Sequence, residues 1–388
     1  MLKISDAERR RRLAIRHGLV RRFASIEDAV RGMTVLHATE AATVHLSLWA
    51  RVTDVTVAEV ERVLYDERSV VKQLAMRRTL FVFPRDLLPA ALGSAAQRIA
   101  GQQRGRLAKD LRASGISTPE DWIAETTAKV VAVLSDGKAR TTSEIRDEVP
   151  ELGRMRPSGP GELPVGPVVM ALLSAEGQVL RGVNAGHWRL NKPAWTSTKH
   201  WLGSVPEPLP EPEGYAELVR RWLATFGPGA EADLVWWLGA TKSAVRRALK
   251  DVEAVEVQLD QGVGWVLPDD TQPPEELEPW AALLPTLDPT VMGWKERDFY
   301  LDPADKPFLF DTNGNAGNTA WWDGRIVGCW LQDDQDPAAP VRLVVHEDVG
   351  TAGQAALEAE AERLTDWLGG VRITNVYASP QMRGLRLP

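Results

Sequence analysis

His37, Thr39 and Glu40 stand close together in the stretch Leu36-His37-Ala38-Thr39-Glu40-Ala41-Ala42-Thr43-Val44-His45. An imidazole and a hydroxyl two residues apart can hold a water between them, and a neutral imidazole can also take a proton from it. A carboxylate beside that pair can stabilise a positive charge that develops nearby. A helix beginning at Glu40 would set Ala41, Val44, His45 and Leu48 on one largely apolar stripe. His37 and Thr39 would then sit at the positive end of the helix dipole, which favours the neutral imidazole. Ordinary structural duties also suit several of these residues. Thr39 reads as an N-cap, Glu40 as a first-turn acid and His45 as a core residue on the stripe. His37 is neither a cap nor on the stripe.

Other chemistries lack their motifs. The chain has no Gly-x-x-x-x-Gly-Lys phosphate loop, no Gly-x-Ser-x-Gly elbow and no His-Glu-x-x-His among its six histidines. Cys329 is the single cysteine, so neither an internal disulfide nor a Cys-rich zinc site is expected. No metal and no cofactor are expected.

Basic residues form several groups. Arg77 and Arg78 fall at the turn of a β-prone pair, Ser69 to Gln73 and Thr79 to Phe83, a position suited to phosphate or minor groove. Lys242, Arg246, Arg247 and Lys250 share an expected helix, with 242/246 and 246/250 as i, i+4 neighbours. Arg154 and Arg156 lie in a Pro/Gly-rich loop over 153–166. The run Arg9 to Arg12 cannot share one helix face, so part of it is expected in solvent. The net charge of −7 hides an asymmetry: residues 1–112 carry 21 Lys and Arg against 12 Asp and Glu. A basic N-terminal third on an acidic body suits a face that meets phosphate.

The elements that must position these residues follow a repeated grammar. Ser5-x-x-Glu8, Thr56-x-x-Glu59 and Thr141-x-x-Glu144 read as capping boxes. Helices are expected near 5–18, 26–32, 40–51 and 57–66, then a hairpin around Met76-Arg77-Arg78. Helices near 119–135, 142–148 and 165–175 precede a hairpin at 179–181 and 186–190. Helices near 214–226, 230–238 and 242–250 precede a third at 255–258 and 264–267. Three helices and a two-stranded wing, repeated, predict tandem winged helices over 1–112, 113–204 and 205–270. Val205 to Pro212 reads as a stiff, solvated linker, and Asp269 to Pro279 as an acidic joint. Residues 271–388 turn to β character at 326–330, 341–346 and 371–376, with one helix near 353–368, predicting a barrel-like domain. The fold class is thus α+β. With no secretion signal and no apolar run approaching the ~20 residues of a membrane span, a cytoplasmic protein is expected. The absence of a heptad run and the unequal copies point to a monomer whose partner is duplex DNA. A non-catalytic DNA-binding regulator and a protein-binding scaffold are the competing readings.

Leu36-His37-Ala38-Thr39-Glu40 followed by Leu46-Ser47-Leu48-Trp49-Ala50-Arg51 resembles the first winged helix of the AlkZ-like family. Leu283 to Pro289, Gly293-Trp294-Lys295-Glu296-Arg297-Asp298 and Trp322 to Gly328 are similar to it as well. The resemblance implies three winged helices plus a β-barrel, and a monofunctional DNA glycosylase that removes bulky N7-alkylated purines and unhooks interstrand crosslinks. It also implies that His37 and Thr39 position water, with Glu40 near the sugar. This chain departs from the family's Gln-x-Gln or Gln-x-Asp, having His37-x-Thr39 in that place.

Overall fold

Helices begin where the capping signals predict. Thr56 with Glu59 and Thr141 with Glu144 form reciprocal boxes, each hydroxyl taking the N–H three residues on and each carboxylate taking the cap N–H. Ser5 accepts the Glu8 N–H, but the Glu8 carboxylate turns to Arg12 instead. The computed structural model describes residues 1–158, 161–333, 336 and 338–385. They divide into two compact units, one made of 61–218 and the other of 1–60 with 219–388.

In the 61–218 unit, strands Val70–Leu74 and Leu80–Pro84 pair antiparallel across the Met76–Arg78 turn. Val179–Asn184 joins the far edge of Val70–Leu74, and Pro193–Ser197 pairs with it in turn. The second hairpin therefore returns on 193–197 and not on 186–190. The Asn184 side chain bonds the Leu190 carbonyl and the Lys192 N–H, holding 185–192 as a loop. A long helical stretch that the capping signals do not announce runs through Leu88–Ala91, a π-turn at Leu92–Ala96, and Gln97–Ala113. Its inner face, with Ile99, Leu107 and Leu111, packs with Ile123, Val130, Ile145, Val169 and Leu173 from helices Pro119–Val133, Thr142–Glu148 and Gly166–Ala175. The stretch over 153–166 is not a plain loop. Met155–Ser158 and Gly161–Pro164 pair as a hairpin. Nor is the proline-rich linker simply solvated: Leu209 donates to the Pro89 carbonyl, and Gly93 admits the Leu209 backbone where a Cβ would lie 1.9 Å from its oxygen.

The other unit holds helices Asp6–Arg16, Ile26–Gly32 and Ala41–Trp49, the paired helices Glu231–Leu238 and Lys242–Asp251, and the later part of Glu211–Phe226, whose Thr225 Oγ1 donates to the Gly32 carbonyl. The hairpin Val255–Leu259 with Gly262–Val266 takes Leu2–Lys3 as a parallel third strand. The arginine run is engaged throughout. Arg9 and Arg12 are buried, Arg10 donates to the Phe299 carbonyl, Arg11 pairs with Glu276, and Arg12 and Arg16 both reach Asp270. The expectation of free solvent exposure is thus corrected. The acidic joint at 269–279 supplies Asp270 and Glu276, so part of the N-terminal charge excess is neutralised inside the unit.

The C-terminal region is an antiparallel meander of Ala281–Leu284, Thr319–Trp322, Arg325–Gln332 and Val341–Val345, with helix Gly350–Leu368 packed against it. Among the described residues this sheet stays open, which corrects the barrel expectation: its two edge strands do not pair with each other. The segment 371–376 forms no strand. Its backbone bonds side chains instead, as where Ile373 N–H donates to Gln332 Oε1. The architecture is α+β with small sheets. No helix among the described residues is long and apolar enough to cross a membrane.

Candidate active site

The Ala41–Trp49 helix starts one residue later than the sequence suggests, and this changes what its neighbours do. Glu40, not Thr39, occupies the N-cap position, in extended backbone and without a side-chain capping bond. Thr39 lies half-buried just outside the helix. The capping role read for Thr39 and the first-turn role read for Glu40 are therefore both corrected. Every residue of the helix is buried, so it has no polar outer face and its own stripe is only part of its contact surface. His45 Nδ1 lies 3.2 Å from the Ala41 carbonyl, within the core.

Glu40 is 4% exposed, and its carboxylate is held from a distant part of the chain. Oε1 accepts the backbone N–H groups of Val376 at 2.6 Å and of Tyr377 at 3.0 Å. Burial pushes this carboxyl above the ordinary glutamate range, and the two backbone donors pull it back down. Sequence reasoning missed this partner. Backbone N–H groups donate whatever side chain they carry, so no residue pattern at 376–377 announces it. His37 is buried in the short extended stretch Leu36–His37 that precedes Glu40. His37, Thr39 and Glu40 thus share one buried strand-to-helix connection.

Behind this connection the helix is fixed by a dry polar cluster. Arg51 donates to both oxygens of Asp288, at 2.9 and 2.6 Å, and to Thr290 Oγ1 at 2.7 Å. Ser47 Oγ donates to Asp288 Oδ2 at 2.7 Å, and Thr43 Oγ1 donates to the Thr286 carbonyl at 2.9 Å. Thr290 Oγ1 also meets His17 Nδ1 at 2.9 Å. The His17 ring stacks on Trp294 and meets Phe226 edge-on, and burial holds its pKa well below the ordinary value.

Residues 30–367 match the family described as DNA glycosylase AlkZ-like. The chain belongs to the AlkZ-like family of DNA glycosylases. The structure is also similar to that of Streptomyces sahachiroi DNA glycosylase AlkZ, with a TM-score of 0.75 and 23% identity, covering 96% of this chain and 99% of that one. No curated protein matches the chain at a significant level. AlkZ-like membership makes the protein a DNA glycosylase, a hydrolase of DNA repair. It also gives the motifs a physical meaning: Ser47 and Arg51 come from one motif, Asp288 from another, and they meet in one buried cluster. The Gly293–Asp298 motif serves similarly. Lys295 and Glu296 N–H groups both donate to buried Asp233, and Trp294 Nε1 donates to the Phe226 carbonyl.

The expected DNA contacts fall into distinct groups. Arg78 is exposed and Arg77 half-buried on the Met76–Arg78 turn, both with left-handed backbone. Lys242 and Lys250 are exposed on the Lys242–Asp251 helix. Arg247 pairs with Asp251, while Arg246 makes a two-point bond to Glu231. Arg156 is buried against Asp110, and Arg154 donates to the Ser114 carbonyl. These last two hold the 155–164 hairpin to its own unit. Among the described residues, Asp305, His346 and Glu347 bring candidate metal-ligand atoms within 4.8 Å of one another, with His346 Nε2 2.7 Å from Asp305 Oδ2. They lie outside the His37–Glu40 connection.

Proposed function

We propose that this protein is a monofunctional glycosylase that hydrolyses the N-glycosidic bond of bulky or crosslinked N7-alkylpurines in duplex DNA, working as a monomer. The observation that carries the reading is the buried Glu40 carboxylate. It stands at a helix start, does not cap that helix, and is held by the backbone of residues 376–377. A carboxylate spared its local structural duty and fixed in place is suited to face a developing sugar cation.

In this reading His37 and Thr39 position a water at C1′, and neutral His37 accepts its proton as the C–O bond forms. The C1′–N9 bond breaks with its electrons moving to the purine. An N7-alkylpurine already carries positive charge, so it leaves as a neutral base with little acid assistance. Most of the rate gain is then positioning and charge complementarity. The Arg51–Asp288 cluster fixes the helix that carries the site, and Arg77, Arg78, Lys242 and Lys250 contact the duplex backbone. A bulky or crosslinked adduct fits poorly in a full base-flipping pocket, so such lesions call for a site that does not fully extrude the base.

The test is incubation with duplex containing N7-methylguanine or a nitrogen-mustard crosslink, measuring free base and abasic sites. Release by the wild type that disappears in His37→Ala, while duplex binding persists, supports the mechanism. Duplex binding without release from any alkylated substrate would replace it with a non-catalytic DNA-binding role.

A further inference from the structure

The Gln97–Ala113 helix carries five basic residues and one acidic residue, and nothing in the glycosylase site uses them. Its exposed side holds Arg98, Gly101, Gln102, Gly105, Arg106 and Lys109, spaced three and four apart with no carboxylate among them. The stripe runs about 16 Å along the helix. Asp110 flanks it and is drawn to buried Arg156 at 3.0 Å, with Arg106 4.0 Å away. Arg104 and Arg112, at the margins, pair with Glu176 and Glu120.

Two further observations distinguish this surface from an ordinary solvated face. A Cβ at Gly101 or Gly105 would meet nothing within 4 Å, and neither residue has a positive φ. Nothing inside the chain therefore requires glycine there, although glycine is the costliest ordinary residue in a helix after proline. In addition, the Met76–Arg78 turn packs against Leu92–Ala96 and Gln97–Ala113. That turn holds Arg77 at φ 53° and Arg78 at φ 60°, a conformation that L-residues adopt at a cost. The turn that carries Arg77 and Arg78 therefore lies beside the helix that carries Arg98, Arg106 and Lys109, within the 61–218 unit.

We propose that this face docks the phosphodiester backbone of duplex DNA, with Arg98, Arg106 and Lys109 meeting phosphates and the two glycines admitting the backbone close to the helix. The inference rests on the DNA-glycosylase reading and adds a surface to it. Charge complementarity selects the occupant, since a polyanion neutralises the row and releases its counterions.

The experiment measures anisotropy of a labelled, undamaged duplex across a salt series, with thermal melts of the same proteins. Arg98→Gln/Arg106→Gln/Lys109→Gln is expected to weaken binding at least tenfold and to flatten the salt slope by about 0.9 for each phosphate no longer neutralised. Gly101→Ala/Gly105→Ala is expected to raise Tm yet weaken binding, a pairing that a merely structural helix would not give. Wild-type affinity in both variants would overturn the surface and leave the glycosylase reading standing. Failure of the wild type to bind any duplex would remove both. A Tm that falls in the glycine variant would show an internal role for those glycines and overturn their part in docking.

Discussion

Arg51 and Asp288, 237 positions apart in the chain, form a two-point ion pair with neither side chain exposed to solvent. Ser47 Oγ and the Thr290 N–H also donate to the carboxylate and Thr290 Oγ1 accepts from the guanidinium, so the two charges are paired away from solvent. The buried Arg51 Nε has no hydrogen-bond partner among the described residues. Removing one partner leaves the other charge buried and alone. Arg51→Met is expected to cost ~3–5 kcal/mol of stability. Chemical denaturation checks this, and the double variant with Asp288→Leu should be destabilised by less than the sum of the two single variants.

Glu40→Gln separates activity from stability. Glutamine keeps an oxygen for the Val376 and Tyr377 N–H groups but removes a charge that burial disfavours. A carboxyl whose folded pKa is raised stabilises the fold fully below its unfolded pKa and loses that contribution as pH rises through the folded value. At neutral pH the variant should therefore melt no lower than the wild type, while base release falls by at least tenfold. A variant with full activity would show that the carboxylate serves packing alone.

Acid should loosen the unit that contains His17. Its folded pKa lies well below the ordinary 6.5, chiefly because burial disfavours the imidazolium. The neutral ring therefore contributes stability above its unfolded pKa, and that contribution is lost as pH falls toward the lowered value. Tm should drop between about pH 7 and about pH 5, and His17→Gln should make that drop smaller.

Gly93→Ala tests how firmly the proline-rich segment is seated. The new Cβ would lie 1.9 Å from the Leu209 carbonyl oxygen, so the segment or the π-turn must shift. Alanine ordinarily stabilises a helix relative to glycine. Here the expected result is the reverse: a lower Tm, with faster proteolytic cleavage near residue 209.

Much of this was legible in the residue order, for reasons that can be located. Local signals act through the chain's own neighbours, so the boxes at Thr56 and Thr141 marked helix starts and the hairpin around Met76–Arg78 fell where expected. What escaped was long-range. Glu40 looked like a helix-start acid because its real partners are backbone groups 336 and 337 positions away. Arg9 to Arg12 looked partly solvated because several of the carboxylates that receive them come from a joint that reads only as a connection. Arg156 looked free because Asp110 lies on a helix that no capping box marks. The spacing of Arg98, Gln102, Arg106 and Lys109 was the signal that could have revealed that helix.

The divided unit also dictates an order of assembly. Residues 61–218 are contiguous and can collapse on their own segment as they leave the ribosome, whereas residues 1–60 belong with 219–388, which are made much later. The earliest part of the chain must therefore wait, with its arginines and the strand at Leu2–Lys3 uncommitted, until Val255–Leu259 and Asp270 have been synthesised. Such late, distant closure makes maturation of this unit slow and leaves the nascent chain exposed to aggregation in the interval.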